Sequence, residues 1–258
     1  MICCERLACA LAGAVPVLVA APARAADEEI QVYMDELNPA GKFGLDIHVN
    51  DVLEGDPTLA YPGAEQTVHR WRVTPEFSLG LGGGFELGAY LPLGTIGPDG
   101  VMRVDGAKAR LKWVAPHKQQ GFYWGANFEI GRVAHHVDEN PWNSEFKLIA
   151  GWRDERWTLA ANFNTDFVVS GPAAGPATVE LATKIGYAVR PGLILVVESY
   201  NGIGELKSFG HFNRNDHQTF LTADFPLGKW DVNAGIGKGY GTNADSTILK
   251  FVIGVPID

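Results

Sequence analysis

Lys108, Arg110 and Lys112 stand at alternate positions in the stretch GAKARLKWVAPHKQQGFYWGANFEIGR, Gly106 to Arg132, and Glu129 follows across a polar turn. Ionised groups of both signs at a spacing of two can do electrostatic chemistry. They pair with one another in a partly dry interior, or they line a passage and select charged solutes. Two other groups carry metal-ligating side chains. His135, His136, Asp138 and Glu139 form one, and His211, Asp216 and His217 form the other. Both lie in expected loops and neither matches an established ligand spacing, so no metal and no cofactor is assigned. Ser199 and His69 are the nearest approach to a nucleophile and base. No GxSxG motif accompanies them, and the chain is not expected to be an enzyme. GIGKGYG, Gly235 to Gly241, lacks the spacing and following Ser or Thr of a phosphate loop.

The elements that must position these charges are strands. Successive side chains of a strand point to opposite faces. In the opening stretch, Ala109, Leu111 and Trp113 fall opposite the three cations, and Phe122, Trp124, Ala126, Phe128 and Ile130 share one face of the next run. The same alternation recurs along the chain and predicts about twelve strands from Phe43 onward. One face of these strands carries Asp46, Arg70, Arg72, Glu76, Glu86, Lys108, Arg110, Lys112, Glu129, Glu145, Lys147, Glu180, Lys184, Glu198, Asp224, Asp231 and Lys250. The other face is almost free of charge and carries Trp71, Trp113, Trp124, Trp152, Trp157 and Trp230, mostly near strand ends.

Turn signals divide the strands. Gly82-Gly83-Gly84 and Arg190-Pro191-Gly192 read as tight turns. Connections after odd-numbered strands are generally long and those after even-numbered strands short. Outer-membrane barrels show this asymmetry, with short turns on the periplasmic side. A soluble sandwich also alternates, but it accounts less well for tryptophans near strand ends and for the loop asymmetry. The expected fold is therefore all-β, a transmembrane antiparallel up-and-down barrel of about twelve strands in the cell outer membrane. The charged face lines its lumen and the apolar face meets lipid.

The 258 residues carry a formal net charge of -9 and no basic cluster, which argues against nucleic-acid binding. Residues 1–25 read as a cleaved signal peptide, an apolar run ending at Ala23-Arg24-Ala25. Cys3, Cys4 and Cys9 all fall within it, so no disulfide is expected in the exported chain. Residues 26–42 read as a periplasmic N-terminal arm and 43–258 as the barrel. Expected partners are outer-membrane lipid and lipopolysaccharide, the barrel-assembly machinery and a small solute.

The chain resembles a family of exported, porin- or transporter-like β-barrel proteins of Gram-negative outer membranes. The likeness rests on NPAGKFGLDIHVN, TPEFSLGL, FELGAYLPL, GAKARLKWVAPH, GFYWGANFEIGRV and WDVNAGIGKG, and covers most of the chain after the leader. It implies the fold and transfers no functional residue. A looser similarity, at the level of fold, is to outer-membrane channels for uptake of small organic compounds. The expected function is a channel or binding protein for small polar or ionic solutes. A non-conducting structural or adhesion barrel, closed by its own salt bridges, is the alternative, and a membrane-embedded lipid-modifying enzyme a more distant one.

Overall fold

Alternating side chains and glycine-rich turns give antiparallel strands that curl until the first meets the last. The computed structural model describes residues 29–257. The expected signal peptide, with its three cysteines, lies outside the described residues. The strands are β1 (Phe43–Gly55), β2 (Trp71–Gly82), β3 (Phe85–Ile96), β4 (Met102–Val114), β5 (Gly121–Val133), β6 (Trp142–Arg153) and β7 (Trp157–Ser170). They continue as β8 (Thr178–Arg190), β9 (Leu193–Glu205), β10 (Ser208–Phe209), β11 (Asp216–Leu227), β12 (Trp230–Gly241) and β13 (Asp245–Val255). The two-residue β10 pairs only with the end of β9 and belongs to a loop. The other twelve form a ring, closed by β1 against β13 and by β8 against β9. This is the expected barrel.

Each barrel strand has 11 to 14 residues. At about 3.3 Å per residue and a tilt near 40°, twelve residues rise roughly 30 Å, enough to cross the hydrocarbon core. The register lines the outward positions into a belt. Leu111 faces Phe128, which faces Phe146, and Val197 faces Leu221, which faces Ile236. These side chains stay open to the surroundings; Leu221 is 65% exposed and Ile236 49%. Water would penalise such a belt, whereas lipid accommodates it. Trp71 and Trp142 begin their strands at the long-loop end. Trp113, Trp124, Trp152, Trp157 and Trp230 cluster toward the short turns, where Trp113 meets Trp124 edge-on at 5.1 Å. Tryptophans at both rims mark the two membrane interfaces.

Chain direction at the short turns depends on glycine. Gly82, Gly83 and Gly84 all have positive φ, from 64° to 84°, a conformation that a Cβ would strain. The turn joins β2 and β3 in two residues.

The segment before β1, expected as a periplasmic arm, lies against the inner wall of the barrel. From Lys42 it folds back through the short-turn mouth and runs up the inside of the barrel. Gly41 N–H donates to the carbonyl of Gly80 (2.7 Å), and Gly80 N–H donates to that of Lys42 (3.0 Å). Ile30, Val32 and Tyr33 are buried to 4%, 2% and 3%. The reason is apolar burial. Ile30 and Val32 pack with Val52, Val68, Ala160, Ala182, Tyr200, Phe220 and Ile248, a layer built from inward-facing strand positions. Val68 comes from the long β1–β2 loop, which turns inward and bridges to Val52. The barrel thus has an apolar layer within its lumen, made by both ends of the molecule.

Candidate functional site in the barrel lumen

The lumen is built from the inward side chains of all twelve strands and the N-terminal segment. The strand parity read from sequence places the charges inside. Arg72, Glu76, Glu86, Arg110, Lys112, Glu129, Lys147, Lys184, Glu198 and Lys250 are buried. Asp46, Lys108, Glu145, Glu180 and Asp224 are half-buried, and Asp231 is exposed at the short-turn end of β12. Arg70 lies just before β2 rather than in it. It pairs with Glu65 of the β1–β2 loop at 2.7 Å and donates to the carbonyl of Gln66.

The two signs are interleaved around the lumen. Arg110 stands opposite Glu129 in the β4–β5 register, yet its guanidinium turns the other way, to Glu76 on β2 and Glu86 on β3 (2.8 Å). Gly88 makes this geometry possible, because a Cβ there would lie 2.5 Å from Arg110 Nε. The absent side chain lets the arginine lie across β3. Lys147 pairs with Glu145 and stands 3.6 Å from Glu129. On the far wall Lys250 and Tyr200 both donate to Glu198, and Lys184 bridges to Asp224 at 3.0 Å. Ionised groups held away from water need such partners.

The N-terminal segment enters these networks through Tyr33. Its N–H donates to Asn162 Oδ1 (2.6 Å), and Asn162 Nδ2 donates back to its carbonyl (2.9 Å). This pair copies a strand ladder with a side-chain amide. The Tyr33 hydroxyl bonds that of Tyr90 and donates to Glu129 (3.2 Å). Lys112 and Lys147 each lie 5.1 Å from the ring centre and Arg110 5.7 Å, a set of cation–π contacts. Lower down, Asp35 pairs with Arg153 and with His117 (2.6 Å), and Asn38 donates from both its backbone and its amide to Glu86. Lys112 Nζ donates to the carbonyl of Glu36 (2.9 Å). Tyr33, Tyr90, Asn162 and His117 were missed in the sequence as site residues. Alternation does place Tyr90 and Asn162 on the inner face, whereas the segment's own path was invisible.

Beside the segment lies a cavity of about 1090 Å³. One side is the segment, from Gln31 to Asn38. The other includes Lys184, Glu198, Asp224, Asp231 and Lys250. The turns at Glu155–Arg156 and Arg190–Gly192 also border it, so it reaches the short-turn mouth. Its lining includes no residue of the long loops, and the apolar layer of Ile30, Val32, Phe220 and Ile248 lies above it. The long-loop end is tied down separately. Thr67 donates to Asp245, His136 bonds Asp105 (2.7 Å), and Tyr61 donates to the carbonyl of His135 (2.8 Å).

The loop histidines His135, His136 and His217 each take a partner of another kind. His136 turns to Asp105, while His135 bonds the carbonyl of Pro62. His217 is sandwiched between Phe212 (3.8 Å) and Tyr240 (5.3 Å), with its nitrogens on Phe212 O and Asn201. Ser199 shares hydrogen bonds with Thr219 (3.2 Å) and Asn201 (2.9 Å). His69 lies before β2 with φ of 56°.

No protein-family model matches the chain, and no curated protein does. Solved structures do. The KdgM porin matches 83% of this chain over 99% of its own, with a TM-score of 0.57 and 12% identity. It has also been solved in complex with disordered oligogalacturonate. The COG4313 outer membrane channel from Pseudomonas putida F1 matches 88% of this chain over 100% of its own, with a TM-score of 0.55 and 12% identity. The NanC porin matches 81% over 97%, at 0.51 and 9%. Such identities establish the fold. With a closed ring of twelve strands, a lipid-facing apolar belt and tryptophans at both rims, the chain has the fold of an outer-membrane β-barrel.

Proposed function

We propose that the protein is an outer-membrane channel for small polar or ionic solutes, held closed by its own N-terminal segment. The observation that carries this reading is the cavity of about 1090 Å³, lined by charges of both signs and bounded by that segment. Porins and channels of the same fold support it. The cavity is the vestibule reached from the short turns, and the apolar layer above it is the barrier. Ions cross such a layer only when Ile30 and Val32 leave it. A strand cannot leave without breaking its ladder, whereas residues 30–38 of the segment are held by bonds to wall side chains and by burial. It is the part of the barrier that can move.

Planar-bilayer recording of the purified, refolded protein tests this. The expected result is infrequent openings in the wild type and longer, larger ones when residues 29–38 are removed. Absence of conductance steps and of solute flux into liposomes in both proteins would sink the channel reading. The alternative, a non-conducting structural barrel, draws on the dense pairing of lumen charges. It predicts that removal of the segment leaves the bilayer silent and lowers stability only.

A further inference from the structure

One cluster in the lumen is unexplained by either reading. Among the described residues, Glu29, His48 and Glu76 form the group that could hold a metal ion, with one ligand atom from each lying within 4.8 Å of the others. They come from three places: the N-terminal segment, β1 and β2. His48 and Glu76 are 2% and 3% exposed. One nitrogen of His48, Nε2, bonds Glu76 at 2.9 Å; the other, Nδ1, has no hydrogen-bond partner, and neither has Glu29 Oε1.

Proton counting makes this notable. Glu76 already accepts from Arg110, so it is a carboxylate and His48 Nε2 carries the hydrogen. Nδ1 is buried without a partner, and so is Glu29 Oε1 in the same cluster. Buried polar atoms without partners are costly. A cation held by Nδ1 of the neutral imidazole and by Glu29 gives both orphan atoms a partner.

We propose that Glu29 and His48 Nδ1 bind a divalent cation of the zinc class, with Glu76 orienting the imidazole through Nε2–H. An imidazole with a carboxylate suits zinc and its first-row neighbours, whereas calcium and magnesium take oxygen ligands alone. The ion is a clasp, because it joins the N-terminal segment to the barrel wall. Binding only to the docked segment, it deepens docking by a factor of 1 + [Zn]/Kd, about 100-fold at one hundred times Kd. The site stands by itself; its effect on permeation rests on the channel reading above.

Equilibrium dialysis of the purified, chelator-stripped protein against zinc chloride tests the site. The expected result is one zinc per chain, with affinity reduced at least tenfold in Glu29→Gln and in His48→Gln. The loop variants His136→Gln and His217→Gln retain full binding. Glu29 lies outside every strand, so Glu29→Gln leaves the barrel intact and the comparison interpretable. Zinc also slows hydrogen exchange at the Tyr33 amide by about the same factor that it deepens docking. No stoichiometric uptake, or uptake unchanged in Glu29→Gln and His48→Gln, overturns the proposal, as does loss of uptake in the loop variants. In bilayers, chelation raises open probability and zinc lowers it. Conductance without zinc uptake sinks the clasp and leaves the channel. Zinc uptake with slowed exchange in a silent bilayer upholds the clasp and sinks the channel.

Discussion

Tyr33 is the residue on which docking of the N-terminal segment most depends, and its removal should open the lumen. The side chain is 3% exposed, its hydroxyl reaches Tyr90 and Glu129, and three cations surround its ring. Tyr33→Phe removes only the hydroxyl bonds, at about 1–2 kcal/mol. Tyr33→Ala removes the packed ring as well, and truncation of a buried aromatic costs about 3–5 kcal/mol. Tyr33 belongs to no strand, so these costs fall on docking and leave the strand ladders as they are. Every 1.4 kcal/mol is about tenfold in an equilibrium constant. The undocked population should therefore rise roughly tenfold in Tyr33→Phe and about a hundredfold to a few thousandfold in Tyr33→Ala. Single-channel open probability reads this ratio, and circular dichroism checks that the barrel is intact. A folded Tyr33→Ala barrel whose openings match those of the wild type would refute the claim that the segment is the closing element.

Three further substitutions test other parts of the architecture. Arg110→Met strands two buried carboxylates, Glu76 and Glu86, and should cost about 3–5 kcal/mol in denaturant unfolding; the triple change that also makes both glutamates Gln should recover part of that loss. Gly80→Ala places a Cβ 2.2 Å from the carbonyl oxygen of Asn38 and 2.3 Å from that of Pro39. The segment must then stand off the wall, and limited proteolysis should cut between residues 29 and 42 many times faster than in the wild type. Leu221→Lys puts a charge at the centre of the lipid belt, with an expected cost of about 2–4 kcal/mol on folding into bilayers; an unchanged folding free energy there would contradict the assignment of the outer face.

How much of this was legible from the residues differs between the wall and its contents. Side-chain parity in a strand is local, so Leu221 and Ile236 read as outward and Glu198 and Lys250 as inward without any knowledge of neighbours. Closure into a ring and the rim tryptophans followed from the same period of two and from turn placement. Pairing inside the lumen did not follow. Whether Arg110 reaches Glu129 or Glu76 depends on the bare Gly88 beside it, and on which strands flank β4. The direction of the β1–β2 loop, which carries Val68 inward, is likewise set by contacts with distant strands.

The N-terminal segment marks the limit most clearly. EIQVYMDELNPAG has no alternation long enough to declare a strand, and its polar ends suit a free arm as well as a buried one. Its burial is a property of the cavity that receives it. Ile30 and Val32 need an apolar layer, which is assembled from strands far apart in the chain. Tyr33 needs the amide of Asn162, 129 residues away. By itself the sequence determined a twelve-stranded membrane barrel with a charged interior, because each of those features repeats every second residue. The tertiary structure alone decided that the interior is occupied, that its charges pair across neighbouring strands, and that Glu29 comes to rest beside His48 and Glu76. Those are long-range contacts, fixed by the space left inside the closed ring.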